Sequence, residues 1–271
     1  MATRIEAEIV QGFGDRYRLC CSPVRLDIES RALGVGYGST GYTTREQADR
    51  LGELLRLGPG DRLADIGAGA GWPGLYLAAK SGCRVVGTDL PFDGMQRARD
   101  RAAADGLDGR ASFAVANGRR QPLRSGIFDA VVHTDVLCCL GPKLAVLRTC
   151  CRLLRPGGRM AFTAIHVAPG LDARRHRRAV LAGPWQTASR RPYPELVTQA
   201  GFVEIDVVDV TDDYGRTQRV WFEANEARAD EVRALTSDTD FTMTQRHRRR
   251  TLDAIADGIL RRSIITAVRP A

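Results

Sequence analysis

Between residues 65 and 71 the chain reads Asp65-Ile66-Gly67-Ala68-Gly69-Ala70-Gly71, a carboxylate followed by alternating glycines. Glycine has no Cβ and tolerates positive φ, so such a turn after a strand lets backbone approach a ligand closely. The dinucleotide fingerprint Gly-x-Gly-x-x-Gly would need its third glycine where Trp72 stands, so that match fails. Asp65 would also repel a pyrophosphate, whereas a cationic ligand reverses the sign of the interaction. A second carboxylate, Asp89 in Gly87-Thr88-Asp89-Leu90, follows Gly67 by 22 residues (89 minus 67). That is close to the spacing of about 20 at which an acid receives ribose hydroxyls. Two of the four histidines, His133 and His166, stand where strands are expected to end, and an imidazole titrating near neutrality suits a general base.

The elements that would position these groups alternate from about residue 45 to residue 165. Strands are expected at Arg62 to Ile66, Arg84 to Thr88, near Ala111 to Ala116, at Phe128 to His133 and at Arg159 to Ile165. Helices fall at Trp72 to Lys80, Asp93 to Ala104 and Lys143 to Leu154, the last stopped by Pro156-Gly157-Gly158. This is the pattern of an α/β protein with helices on both faces of a parallel sheet. Residues 166–191 are rich in Pro, Gly and Arg and read as a cap loop, followed by a helix from Tyr193 to Ala200. Two further strands, Phe202 to Val210 and Arg261 to Val268, frame a helical insertion at about 212–260. Within it, 217–235 and 241–260 would each form an amphipathic helix, and the insertion reads as a lid over the site. Four regions result: an amino-terminal lid segment (1–44), a binding core (45–165), the cap loop (166–191) and a carboxyl-terminal part of the sheet with its insertion (192–271).

S-adenosylmethionine has an ammonium and a sulfonium and no phosphate, which answers the sign required at Asp65 and the ribose ligand at Asp89. Here the residues resemble the class I S-adenosylmethionine-dependent methyltransferases, of the small-molecule type that includes the ubiquinone, phosphoethanolamine and glycine-derivative enzymes. Leu63 to Gly71 matches that family's first motif throughout, and Leu153 to Arg159 matches its helix stop and fifth strand. The resemblance implies a Rossmann-like, doubly wound, seven-stranded sheet, mostly parallel with an antiparallel last strand, and a helical lid. It implies cofactor contacts from Asp65, Gly67, Ala68, Gly69, Asp89 and Leu90, the last packing on the adenine. Ala116, Asn117 and Gly118 match the segment that meets the adenine amino group, with Asn117 where relatives have Asp. Thr134, at the end of strand four, is assigned to the cofactor as well.

Methyl transfer from a sulfonium is an in-line displacement, so alignment and a dry pocket matter most, and a base is required only for protonated acceptors. His133 and His166 are the expected bases, with Asp135 either orienting His133 or capping the next turn. The segment Gly34 to Tyr42 resembles the amino-terminal lid of the small-molecule enzymes, in which a tyrosine lies over the methyl donor. Tyr37 is the first candidate for that place, beside Tyr42 and the less specific Tyr17. Each of these groups has a purely structural alternative: a hydrogen-bonded histidine, or a tyrosine that packs the lid.

Of 40 basic residues only Lys80 and Lys143 are lysine, a skew toward arginine, and the runs 174–178 and 246–250 read as solvated helix faces. Nucleic acid is disfavoured: strand four ends in His133-Thr134-Asp135-Val136-Leu137, without the Pro-Pro-aromatic sequence of base-methylating enzymes, and no cysteine follows a proline. Seven cysteines include three adjacent pairs and none has metal-ligand spacing, so they read as reduced, buried hydrophobes and no metal is expected. No apolar run is long enough to span a bilayer, and Met1 to Glu6 lacks a signal peptide's hydrophobic region, giving a cytoplasmic expectation without membrane contact. The reading is N- or O-methylation of a small metabolite or natural product, by a chain that can form a homodimer. Its alternatives are a noncatalytic S-adenosylmethionine sensor and an RNA- or arsenite-directed methyltransferase.

Overall fold

The computed structural model describes residues 4–271, with side chains from residue 7 onward, so Met1–Thr3 of the amino-terminal expectation lie outside the described residues. The chain opens with two helices, α1 (Arg4–Leu19) and α2 (Pro23–Leu33). Pro23 sits in the first turn of α2, where a missing N–H costs nothing, and Gly34 ends the helix in the left-handed conformation (φ 76°). Thr44 then accepts a hydrogen bond from the Gln47 amide (3.2 Å) and starts α3 (Arg45–Leu55). The alternating core follows: β1 (Arg62–Ile66), α4 (Gly74–Ser81), β2 (Arg84–Asp89), α5 (Phe92–Ala104), β3 (Ala111–Val115) and β4 (Phe128–Thr134). A single 3-10 turn, Leu137–Cys139, leads into α6 (Lys143–Leu153) and β5 (Leu154–Val167). The remainder is α7 (Ala173–Ala182), α8 (Tyr193–Gln199), β6 (Val203–Asp209), α9 (Thr211–Ala227), α10 (Ala229–Leu235), α11 (Asp238–Ala256) and β7 (Leu260–Val268).

The seven strands form one sheet in the order β3-β2-β1-β4-β5-β7-β6. All neighbours among the first five are parallel, and β7 alone runs against its neighbours β5 and β6. Strand residues alternate between two apolar layers. Ala64, Ile66, Val131 and Phe162 face α6 and α8, while Leu63, Ala130, Val132 and Ile264 face the α3 and α4 side with Leu51, Leu75 and Leu77. These aliphatic and aromatic side chains are withdrawn from water, and each fully buried one is worth about 1.5–3 kcal/mol. A third apolar cluster joins α2 to the insertion: Val24, Ile28 and Ala32, four residues apart, meet Trp221, Val232 and Phe241.

Strand bounds in the core fall within a residue or two of expectation, except that β5 begins at Leu154, five residues early. Three other segments differ. The lead-in is two helices before it becomes a Gly and Tyr segment, and α7 occupies the middle of the expected cap loop, capped by the Asp172 carboxylate on the Arg175 amide (2.8 Å). The insertion has three helices, because Arg228 leaves helical geometry between α9 and α10 (φ −118°) and its guanidinium binds Asp27 of α2 at 2.7 Å. Among the described residues no helix is long and apolar enough to cross a membrane, and no group of His, Cys, Asp and Glu could hold a metal ion.

Candidate active site

The carboxyl ends of β1, β2 and β4, and the turn after β3, open on a cavity of about 1490 Å³. Its roof comes from α1, α2, α9 and α11 and its rim from the loops at 39–42, 138–142 and 183–186. This is where an open α/β sheet presents its ligands, outside the strand ends beside the reversal of strand order. Gly67 and Gly69 both have positive φ (76° and 53°). A Cβ on Gly67 would meet the Val136 side chain at 2.4 Å, and one on Gly69 would meet the Tyr17 hydroxyl at 2.5 Å, so the turn lies close under its cover.

Of the ten residues expected at the cofactor, Gly67, Ala68, Gly69, Asp89, Leu90, Ala116, Asn117, Gly118 and Thr134 all line the cavity. Asp65 does not. Its side chain is buried on the far side of the turn, where it accepts from the Gly74 amide at the start of α4 (3.1 Å). Burial pushes its carboxyl up to about 8, with Asp89 adding to the shift and the Gly74 amide opposing it. The carboxylate of Asp89 accepts from the amides of Leu90 (2.7 Å) and Gly69 (3.0 Å), which ties the end of β2 to the glycine turn. Withdrawal from water holds Asp89 at about 6 in spite of those amides.

None of the three side chains expected to act on the acceptor lies on the cavity wall. His133 shares the alternation of Val131, so it faces the layer under α6 and α8, fully buried, with its ring stacked on Phe162 (4.4 Å between centroids). Neither ring nitrogen has a hydrogen-bond partner, and burial lowers its pKa to about 3. His166 stands on the same face, set edge-on to Tyr193, with Nε2 3.0 Å from the Ser263 hydroxyl. Tyr37 packs on Trp72 (5.1 Å) and under the guanidinium of Arg101 (4.1 Å). Tyr17, the less specific candidate, instead covers the glycine turn, 3.4 Å from Thr40 Oγ1, and Tyr42 lines the cavity against Tyr214.

Asp135 neither orients His133 nor caps a turn. It takes a left-handed conformation (φ 56°) at the cavity edge and accepts from Arg262 Nε and Nη2, both at 2.9 Å. It also accepts from the Thr163 hydroxyl (3.1 Å) and the Tyr42 amide (3.0 Å). Arg262 is fully buried and donates in addition to Gln47 Oε1 (2.7 Å) and to the Thr43 and Thr163 hydroxyls (2.9 and 3.0 Å). With all three guanidinium nitrogens engaged, the pair is a buried, hydrogen-bonded ion pair rather than a free charge. An arginine just before the apolar pair Ile264-Ile265 of the last strand was its signal in the sequence. The amino-terminal lid is held by Glu29 of α2, whose carboxyl oxygens accept from the Gly38 (2.6 Å) and Ser39 (2.9 Å) amides.

Glycine turn, ribose-spaced carboxylate and strand order together define a Rossmann-like nucleoside-binding site of the methyl-transfer type. The chain belongs to the class I S-adenosylmethionine-dependent methyltransferases. A family model described as a methyltransferase domain matches residues 64–162. The chain is 33% identical over 185 residues to the 27-O-demethylrifamycin SV methyltransferase of Amycolatopsis mediterranei, covering 65% of this chain and 68% of that protein. It is 32% identical over 170 residues to methyltransferase GfsG of Streptomyces halstedii, covering 60% of each. Among solved structures, phosphoethanolamine N-methyltransferase 2 of Haemonchus contortus, in complex with S-adenosyl-L-methionine, superposes with a TM-score of 0.77 at 20% identity. That match covers 92% of this chain and 58% of the other, so the chain spans about three fifths of both the worm enzyme and GfsG.

Proposed function

We propose that the protein transfers a methyl group from S-adenosylmethionine to an oxygen or nitrogen of a small-molecule acceptor, a metabolite or natural product. The observation that carries this reading is the gathering of nine expected cofactor residues on one wall of a single cavity. Its volume of about 1490 Å³ exceeds the roughly 300–1,000 Å³ of an ordinary ligand pocket, which leaves room for an acceptor beside the cofactor. The relative that methylates 27-O-demethylrifamycin SV supports an acceptor of natural-product type.

In this reading Asp89 takes the ribose hydroxyls, Leu90 and the Ala116 to Gly118 segment take the adenine, and the backbone of Gly67 to Gly69 takes the amino-acid end. When bound, the cofactor supplies a methyl group already activated on a sulfonium. Tyr17 and the helices of the roof exclude water from that end of the cavity, and a closed, dry site strengthens every charge interaction inside it. Among the described residues His247 is the one histidine on the wall. Burial, then the neighbouring Arg248, Arg16 and Arg250, lower its pKa, so the imidazole is neutral at pH 7 and free to accept the acceptor's proton.

Calorimetric titration with S-adenosylmethionine, with NADH as control, tests the cofactor. The proposal expects binding of the first alone, weakened roughly 5- to 150-fold in Asp89→Ala if two hydrogen bonds of about 0.5–1.5 kcal/mol each are lost. Binding of NADH alone, or an Asp89→Ala protein of unchanged affinity, removes it.

A further inference from the structure

One stripe of α9 is buried, Tyr214, Gln218, Trp221 and Asn225, spaced four, three and four residues apart, and its Tyr214 and Trp221 line the cavity. Its two amides have their N–H groups engaged, Gln218 on the Tyr214 hydroxyl (3.0 Å) and Asn225 on the Trp221 carbonyl (2.7 Å). Their oxygens therefore point outward and accept from two arginines. Arg25 of α2 donates to Asn225 Oδ1 (3.2 Å), and Arg248 of α11 donates to Gln218 Oε1 (3.0 Å) while lying over the Trp221 ring (5.0 Å). Both line the cavity, as does Arg16 of α1, whose guanidinium rests on Phe13 (5.2 Å) and Trp185 (5.7 Å).

These three guanidiniums have no carboxylate partner among the described residues. The carboxylates of the cavity wall are all committed elsewhere: Asp15 to Arg18, Asp135 to Arg262, Asp240 to Ser237, Glu29 to the lid amides and Asp89 to the glycine turn. A guanidinium has five donors, and Arg25 and Arg248 each spend one on a neutral amide. Arg248 Nε is shielded from solvent and has no hydrogen-bond partner among the described residues. The arginines also feel one another, since burial first, and then Arg248 and Arg16, lower the pKa of Arg25. Like charges gathered in a partly dry cavity cost free energy unless an anion answers them.

We propose that the acceptor has an anionic group, phosphate or carboxylate, received by Arg25 and Arg248 with Arg16 beside them, at the helical roof of the cavity. This deepens the methyl-transfer reading and rests on it. Planar forks suit both oxyanions, and the Trp221 ring backs the Arg248 guanidinium. The charged end would then anchor the acceptor at the roof, on the same wall as His247.

The test is calorimetric titration of the full chain, saturated with S-adenosylhomocysteine, with inorganic pyrophosphate, inorganic phosphate and acetate in turn. At least one anion is expected to bind, and Arg25→Gln and Arg248→Gln are each expected to weaken it tenfold or more while S-adenosylhomocysteine affinity stays within twofold. Preference for the phosphates assigns a phosphorylated acceptor and preference for acetate a carboxylated one. If none of the three binds to the cofactor-loaded protein, or if binding survives both substitutions, the anion site is overturned and the methyl-transfer reading stands. If S-adenosylhomocysteine itself fails to bind, the reading beneath the proposal falls instead.

Discussion

His133 and His247 exchange the roles that position along the chain suggests. His133 ends a strand beside the cofactor segment, yet its alternation turns it into the layer under α6, where an apolar ring would serve as well. Its folded pKa of about 3 lies below the ordinary 6.5, so it contributes stability above that ordinary value and loses it as pH falls toward 3. His133→Phe should therefore raise the midpoint of thermal unfolding more at pH 5 than at pH 8, and leave turnover within about twofold; a drop of tenfold or more would return His133 to the chemistry. His247→Ala should bind S-adenosylmethionine normally and lower kcat by roughly 10²-fold or more, the usual range for loss of a general base. Single-turnover methylation of an acceptor found by screening measures it. The glycine turn and Asp89 were legible because a ligand dictates their spacing. The proposed base, His247, was not, because it stands on a roof helix 180 residues beyond the turn (247 minus 67).

The core strands could be located from sequence because strands buried on both faces read as short apolar runs closed by glycine. The roof was harder. Its stripes are mixed: Tyr214, Gln218, Trp221 and Asn225 keep helical spacing, but two of the four are amides, and in α2 the apolar positions Val24, Ile28 and Ala32 alternate with charge. β7 shows a related conflict, a fully buried arginine in the strand, answered chiefly by a carboxylate 127 residues away (262 minus 135). Arg262→Met should cost about 3–5 kcal/mol of unfolding free energy, the penalty of leaving one charge of a buried pair alone. Adding Asp135→Leu should recover part of that loss. Urea unfolding of the two proteins gives the comparison, and a loss under 1 kcal/mol in the single variant would mean the network relaxes around the gap.

At the scale of the whole molecule, three carboxyls near or beneath the cavity are held above their ordinary range, chiefly by burial: Asp65 at about 8, Glu29 at about 7 and Asp89 at about 6. Raised acids contribute stability that is complete below their ordinary pKa and is lost as pH climbs through the folded values, here from about 4 to 8. A cationic ligand favours their ionised forms. S-adenosylmethionine should bind more tightly as pH rises from 6 to 8 and release protons on binding, and S-adenosylhomocysteine, lacking the sulfonium charge, should release fewer. Titrations in buffers of different protonation enthalpy count the protons. Equal release by both ligands would mean that the carboxyls do not sense the sulfonium.

The order in which strands lie in the sheet differs from the order in which they leave a ribosome. β6 pairs with β7 alone, and β7 also covers the edge of β5, although β7 is synthesised some fifty residues after β6. Until residue 268 has emerged, the nascent chain has an open β5 edge, an unpaired β6 and an Asp135 carboxylate still awaiting its cation. Such edges invite pairing with other chains. The last strand thus acts as a closing seam: the first five strands can collapse while translation continues, but the β5 edge is covered and β6 is tied in only when the final strand slides between the two already waiting, leaving β3 and β6 as the outer edges of the sheet.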